Sequence, residues 1–168
     1  SRLGWAIAPD GDAVNREGHA DFVIDDELDL RAEEFLNVAR GVHESRPFTF
    51  KGRYFEVLNG GFEAPLTQHS FPTVFLQGDD DRALAFSARH ADVHLFQSAP
   101  AEELAARISR LNILAEAEGR YVRAGLIQPL LLRDDPDSAI CDSSRRTLAP
   151  GTLVASYDEA AGRLAAYV

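Results

Sequence analysis

Short apolar runs alternate along this chain with longer stretches of helical period, and no other feature narrows its fold as much. Such alternation is the signature of βα units built around a parallel sheet. Leu3 to Ala8 reads as a buried strand. After a polar loop, Pro9 to Asp26, apolar side chains recur at Leu28, Ala32, Phe35, Val38 or Ala39, and Val42. Spacings of three and four place them on one face of a helix over about 26–44. The aromatics of Phe48 to Val57 flank Lys51-Gly52 and predict a small β-hairpin inserted between units, over about 47–58. Pro65 and Pro72 mark a loop that enters Thr73 to Gln77, a continuous β-branched and aromatic run that predicts the next strand. Gly78-Asp79-Asp80-Asp81 then opens a helix with carboxylates suited to its positive end.

Ala91 to Phe96 predicts a further strand, followed by a helix whose first turn holds Pro100, Glu102 and Glu103. Its buried face is Leu104, Ile108, Leu111 and Ala115, and Gly119 is placed to end it in a left-handed conformation. Val122 to Leu132 reads as one more strand, although Pro129 has no N–H to give a central ladder. Arg133 to Pro150 is polar and without period, an irregular loop over about 134–150, and Ser156 with Glu159 fits a capping box before a last helix. The expectation is a single α/β domain of about four βα units with parallel strands, either a small open sheet or an incomplete TIM-barrel-like arc. A complete (β/α)₈ barrel takes ~250 residues, and this chain has 168.

Charge and cysteine content remove several classes of function. Seventeen basic against 27 acidic residues leave a formal charge of −10, and with no basic stretch nucleic acid is not an expected partner. Cys141 is the single cysteine, which excludes an internal disulfide framework and any multi-cysteine metal site and suits a reducing cytoplasm. No apolar run approaches the ~18 residues of a membrane span. The chain contains no methionine and opens on the apolar run Leu3 to Ala8, while Ala160 to Val168 reads as mid-helix. A partial chain is therefore expected, with an unpaired apolar edge at Leu3 to Ala8 that favours self-association, a homo-oligomer included.

Several strings, in order, resemble the luciferase-like family of flavin-dependent monooxygenases, in particular its alkanesulfonate monooxygenase branch. They are Arg2-Leu3-Gly4-Trp5, Arg31-Ala32-Glu33-Glu34-Phe35, Phe50-Lys51-Gly52-Arg53-Tyr54-Phe55, Pro72-Thr73-Val74-Phe75 leading into Gly78, and Ala91-Asp92-Val93-His94-Leu95. Pro100-Ala101-Glu102-Glu103-Leu104, Ala117-Glu118-Gly119-Arg120 and Leu153-Val154-Ala155-Ser156 continue the register. The resemblance implies a TIM barrel with insertions, about twice this length, of which this sequence would run from the fourth strand to a point before the eighth. It also implies reduced flavin mononucleotide delivered by a partner flavin reductase, used with oxygen on a small organic substrate.

In a parallel barrel the site lies at the C-terminal ends of the strands. Here these are Ala6 to Pro9, Gln77 to Asp80, Gln97 with Ser98, and the neighbourhood of Gln128 and Pro129. By the resemblance, Ala6, Gln77, Gly78 and Asp79 stand where the cofactor would be held. Ala6 matches an asparagine of relatives, Asp29 a tyrosine, and Gln77-Gly78-Asp79-Asp80 a Gly-Gly-Ser-Ser turn, while Ile127 and Pro129 match a catalytic-looking arginine and histidine. Asp79 and Asp80 read more simply as helix caps, and carboxylates there repel a phosphate. His94, in mid-strand, and Gln128, at a strand end, are the catalytic candidates, with a core or pocket-lining role as the simpler reading of His94. His90 suits a helix C-terminus. His19, His43 and His69 have no second ligand at metal-like spacing, so no metal is expected. Asp25, Asp26, Glu27 and Asp29 are ordinary helix-start acids. Ser143-Ser144-Arg145-Arg146 would suit a flavin phosphate if folded over the barrel mouth, and is otherwise an exposed loop. Three readings stand: a flavin monooxygenase, a degenerate homologue that binds or dimerises without catalysis, and an acidic α/β domain of another function.

Overall fold

The computed structural model describes residues 4–7, 25–62 and 70–167. Strand β1 (Gly4–Ile7) is followed by α1 (Asp25–Glu44) and the hairpin strands β2 (Phe48–Lys51) and β3 (Glu56–Gly60). Then come β4 (Thr73–Gln77), α2 (Asp81–His90), β5 (Val93–Gln97), α3 (Ala101–Ala117) and β6 (Arg123–Ile127). The chain ends in β7 (Leu130–Arg133), α4 (Pro136–Ser143), β8 (Leu153–Ser156), α5 (Tyr157–Leu164) and a 3-10 turn, Ala165–Tyr167.

Four of these strands form one parallel sheet in the order β1-β4-β5-β6. Spatial order follows chain order, so every crossover advances one place in the same direction. That is the winding of a barrel arc; a doubly wound sheet reverses direction at its middle. Among the described residues the strands do not close on themselves, and the incomplete TIM-barrel-like α/β fold predicted from the sequence is what the chain forms. Among the described residues β1 pairs on one side only, with β4; Leu3 and Ala8, the ends of the predicted apolar edge, lie outside them.

Strand alternation divides the sheet into two faces. Val74, Leu76 and Phe96 pack outward against Leu36 of α1, Leu84 and Phe86 of α2, and Leu104 and Leu111 of α3. Burying each such side chain contributes about 1.5–3 kcal/mol. The opposite, inner face carries Ala6, Phe75, Gln77, Leu95 and Gln97. Two glycines make room on it: a Cβ on Gly4 would lie 2.7 Å from the Phe75 ring, and one on Gly125 would lie 2.8 Å from Leu95. Helix α1 buries Leu28, Leu36 and Ala39, whereas Phe35 of the predicted stripe is half exposed and meets Trp5 and the hairpin's Phe55 at 6.4 and 6.0 Å. Leu28, Ala32 and Ala39 of the predicted stripe do face the core, and only at its middle does Leu36 take the buried place expected of Phe35.

The hairpin is clamped to α1 by one carboxylate. Glu34 accepts the consecutive backbone N–H groups of Arg53, Tyr54 and Phe55 at 2.6, 2.5 and 2.8 Å. Three amides converging on one anion form a filled nest. Gly52 is required beside it, because a Cβ there would sit 1.6 Å from Glu34 Oε1.

Beyond β6 the structure differs from the sequence reading. The single strand expected over Val122 to Leu132 is two, broken at Gln128-Pro129 where the proline has no N–H for the ladder. β7 leaves the main sheet and pairs in parallel with β8, a strand the sequence reading did not assign. The predicted irregular loop 134–150 contains α4, started by Asp135, whose side chain accepts from Ser138 N–H, with Pro136 at the first helical position. Eight residues are too few to display a period, so the cap was the readable signal. The capping box of Ser156 and Glu159 is present as predicted, and Gly119 has φ +66° at the end of α3.

Candidate functional site

At the C-terminal rim of the inner face the strand ends themselves are polar and uncharged among the described residues, with Asp79 and Asp80 on the turn that follows β4. Gln77 ends β4 opposite Leu95, and Gln97 ends β5 opposite Ile127, so the two carboxamides are diagonal neighbours on one face. Both are exposed, and each offers two N–H donors and one carbonyl acceptor. Ala6 lies opposite Phe75 on the adjacent strand. Phe75, Leu95 and Ile127 form an apolar, half-open floor beneath them.

The turn after β4 is held from behind. Gly78 has φ +147°, and a Cβ on it would lie 2.3 Å from that of Ala83, so only glycine fits. His94 Nε2–H donates to the Gly78 carbonyl at 3.1 Å, and its Nδ1 accepts from the Ser87 hydroxyl at 2.7 Å. A carbonyl can only accept, which assigns the proton to Nε2. His94 is fully buried, stacked edge-on against Phe96 at 4.4 Å. Burial pushes its pKa down, opposed by the Gly78 carbonyl and the charge of Asp79, so the ring is neutral. Its pairing with Leu76 and Ala124 puts it on the helix-facing side of the sheet. There it positions the turn and does not face the ground above Gln77 and Gln97.

The acids of the turn are engaged. Asp80 caps α2, its carboxylate accepting Ala83 N–H at 2.7 Å. Asp79 pairs with Arg107 at 2.9 Å, and Arg107 also meets Glu103 at 3.2 Å. Asp81 faces Arg110 at 3.8 Å, and Arg82 is bonded to Asp29. Arg107 was not among the residues singled out from sequence: it stands 28 positions from Asp79 on another helix, and only the packing of α2 against α3 joins them.

Gln128 is a structural clip in this fold. Its Nε2 donates to the carbonyls of Pro129 at 3.0 Å and Gly151 at 2.8 Å, tying the break after β6 to the turn before β8. Ala6, Gln77, Gly78 and Asp79 are thus brought onto adjacent strand ends, whereas His94 lies behind them and Gln128 beyond β6. The hydroxyls of Ser143 and Ser144 turn back to carbonyls of α4, and Arg146 faces Asp142 at 3.9 Å. His43 packs edge-on against Phe71, and His90 sits 3.5 Å from Glu33 with its pKa lowered by burial. His19 and His69 lie outside the described residues. Among the described residues no three His, Cys, Asp or Glu side chains gather as a metal would need, and no helix is long and apolar enough to cross a membrane.

A one-directional parallel arc with its open rim at the strand C-termini is a section of a (β/α) barrel. The chain matches the luciferase-like monooxygenase family over residues 2–167 and belongs to it. Among solved structures it is similar to the monooxygenase RslO1 from Streptomyces bottropensis, with 15% identity and a TM-score of 0.71 over 98% of this chain and 57% of that one. It is also similar to EDTA monooxygenase from Chelativorans sp. BNC1, with 19% identity and a TM-score of 0.68 over 86% and 39%. A riboflavin lyase solved with modified FMN and riboflavin matches at 17% identity and a TM-score of 0.69, over 83% and 37%. The chain therefore spans well under two thirds of the length of each of these proteins.

Proposed function

We propose that this chain belongs to a flavin-dependent monooxygenase that oxidises a small organic substrate with reduced flavin and oxygen, in the cytoplasm. The balanced reaction is R–H + FlH₂ + O₂ → R–OH + Fl + H₂O, the reduced flavin supplying two electrons and a partner reductase renewing it. The observation that carries the reading is the inner face itself: an apolar floor of Phe75, Leu95 and Ile127 that ends in the carboxamides of Gln77 and Gln97. A flavin ring has an apolar benzenoid end and a polar pyrimidine edge, and this face offers a counterpart to each. The chain's own residues would bind and orient the ring. Gly4 and Gly125 keep the floor low, and the carboxamides hydrogen-bond the polar edge.

Titration of the protein with flavin mononucleotide and riboflavin, followed by quenching of flavin fluorescence, tests this. Micromolar binding that is lost in Gly125→Val, whose side chain would stand against Leu95, is the expected result. No binding of either flavin at millimolar concentration rejects it.

A second reading, a homologue that binds without catalysis, draws on the replacements at the rim. Ile127 and Pro129, which stand where the family resemblance places an arginine and a histidine, can neither transfer a proton nor pair with a sulfonate. Oxygen uptake with photoreduced flavin separates the two readings: binding without substrate-dependent uptake supports the second.

A further inference from the structure

The turn after β4 opens a helix, where an anion would ordinarily be welcome, and the turn's own side chains do not suit one. We propose that the Gly78–Asp81 turn is closed to phosphate by its carboxylates, so that the flavin taken by this rim is the uncharged riboflavin in preference to the mononucleotide. The inference rests on the flavin reading above and refines it.

A helix N-terminus attracts an anion because its first N–H groups are unpaired and its dipole is positive there. At α2 the Asp80 carboxylate already takes the Ala83 N–H at 2.7 Å, so the turn's anion is part of the chain. Neighbouring cations are committed as well. Arg107 is shared by Asp79 and Glu103, Arg110 faces Asp81, and Arg82 is bonded to Asp29. An arriving dianion would have to displace a carboxylate from the Ala83 N–H or from these arginines while standing beside Asp79, Asp80 and Asp81. Rearrangement of the turn is blocked at Gly78, whose carbonyl is fastened to buried His94 and whose position accepts no side chain. The rest of the described rim, Ala6, Gln77, Gln97 and Ile127, bears no charge, so an uncharged ligand meets no charge that opposes it there. Serine at both acidic positions would keep an N-cap at position 80 and leave Arg107 with Glu103 as its one carboxylate partner of the two.

The test uses the intact chain, the Asp79→Ser/Asp80→Ser variant, and Asp79→Asn, which keeps the Asp80 cap should the double variant fold poorly. In the first arm, inorganic phosphate is titrated while the backbone amide resonances of Arg82 and Ala83 are followed. The expected result is no saturable shift in the unaltered chain and a saturable shift in the double variant. A saturable shift in the unaltered chain overturns the proposal, and so does silence in every protein, because the carboxylates would then not be what excludes the anion. In the second arm, the dissociation constants of riboflavin and flavin mononucleotide are compared. Riboflavin is expected to bind the unaltered chain at least as tightly, and the variants should gain about tenfold for the mononucleotide alone. A tenfold preference of the unaltered chain for the mononucleotide overturns the inference. Failure of both flavins to bind counts against the function proposed above, and the phosphate arm then decides this proposal by itself.

Discussion

His94 and Gly78 are joined across the back of the rim: the buried imidazole on β5 donates from Nε2 to the carbonyl that follows β4, at 3.1 Å. The contact ties the turn after β4 to the neighbouring strand β5 and fixes the turn on which Asp79 and Asp80 stand. Because the ring is wholly inside, its loss leaves two polar groups without partners.

His94→Leu is therefore expected to destabilise the fold by about 2–4 kcal/mol, since the buried Ser87 hydroxyl and the half-buried Gly78 carbonyl both lose their partner. Urea denaturation reads this, and a loss below about 1 kcal/mol would remove the anchoring role. His94→Gln, able to reach one of the two partners, should fall between.

Acid should weaken the protein well above the carboxylate range. His90 and His94 both have folded-state pKa values below the ordinary 6.5, in each case chiefly because burial disfavours the charged ring. The unfolded chain then takes up protons first, so the stability these groups allow is complete above about pH 6.5 and is lost as pH falls below it. Asp135, Asp142 and Glu159 are shifted down by their hydrogen bonds and act only in a lower window, beneath the ordinary 3.8 to 4.5. Melting temperature measured from pH 7.5 to 5 should decline, and a flat profile would contradict the buried neutral state.

The Glu34 clamp predicts a local effect. Glu34→Ala removes the acceptor of three consecutive N–H groups and should cost about 1–3 kcal/mol. Hydrogen exchange should accelerate at the Arg53, Tyr54 and Phe55 amides while the amides of β4 and β5 stay protected. Equal acceleration throughout would mean that the carboxylate does more than hold the hairpin.

Gly78→Ala combines a left-handed backbone with a Cβ placed 2.3 Å from Ala83. A loss of about 1–3 kcal/mol is expected, measured by denaturation. Gly119→Ala is the control, with φ +66° and open space around its Cβ. It should lose less than Gly78→Ala does.

Much of the arc was legible because its signals are local. The β-branched run Thr73 to Gln77, the acids before Arg82, the left-handed Gly119 and the Ser156 capping box each state their structure within a few residues, and each is found where it was read. Helix α4 and strand β8 were not assigned, because segments of eight and four residues carry too little period. The break at Pro129 was signalled by the proline but not its consequence, since the partner of β7 is a strand more than twenty residues away.

The site divides along the same line. Which residues lie at the strand ends could be read locally, because alternation and turn chemistry are properties of adjacent positions: Ala6, Gln77, Gly78 and Asp79 stand at neighbouring strand ends. Which face each side chain serves, and what neutralises it, is set by how the elements pack. His94 faces the helices because register pairs it with Leu76 and Ala124. Gln128 spends its amide on Pro129 and Gly151, and Asp79 meets Arg107 from a different helix. Such pairings depend on how elements pack across long separations, and no local pattern of residues encodes that.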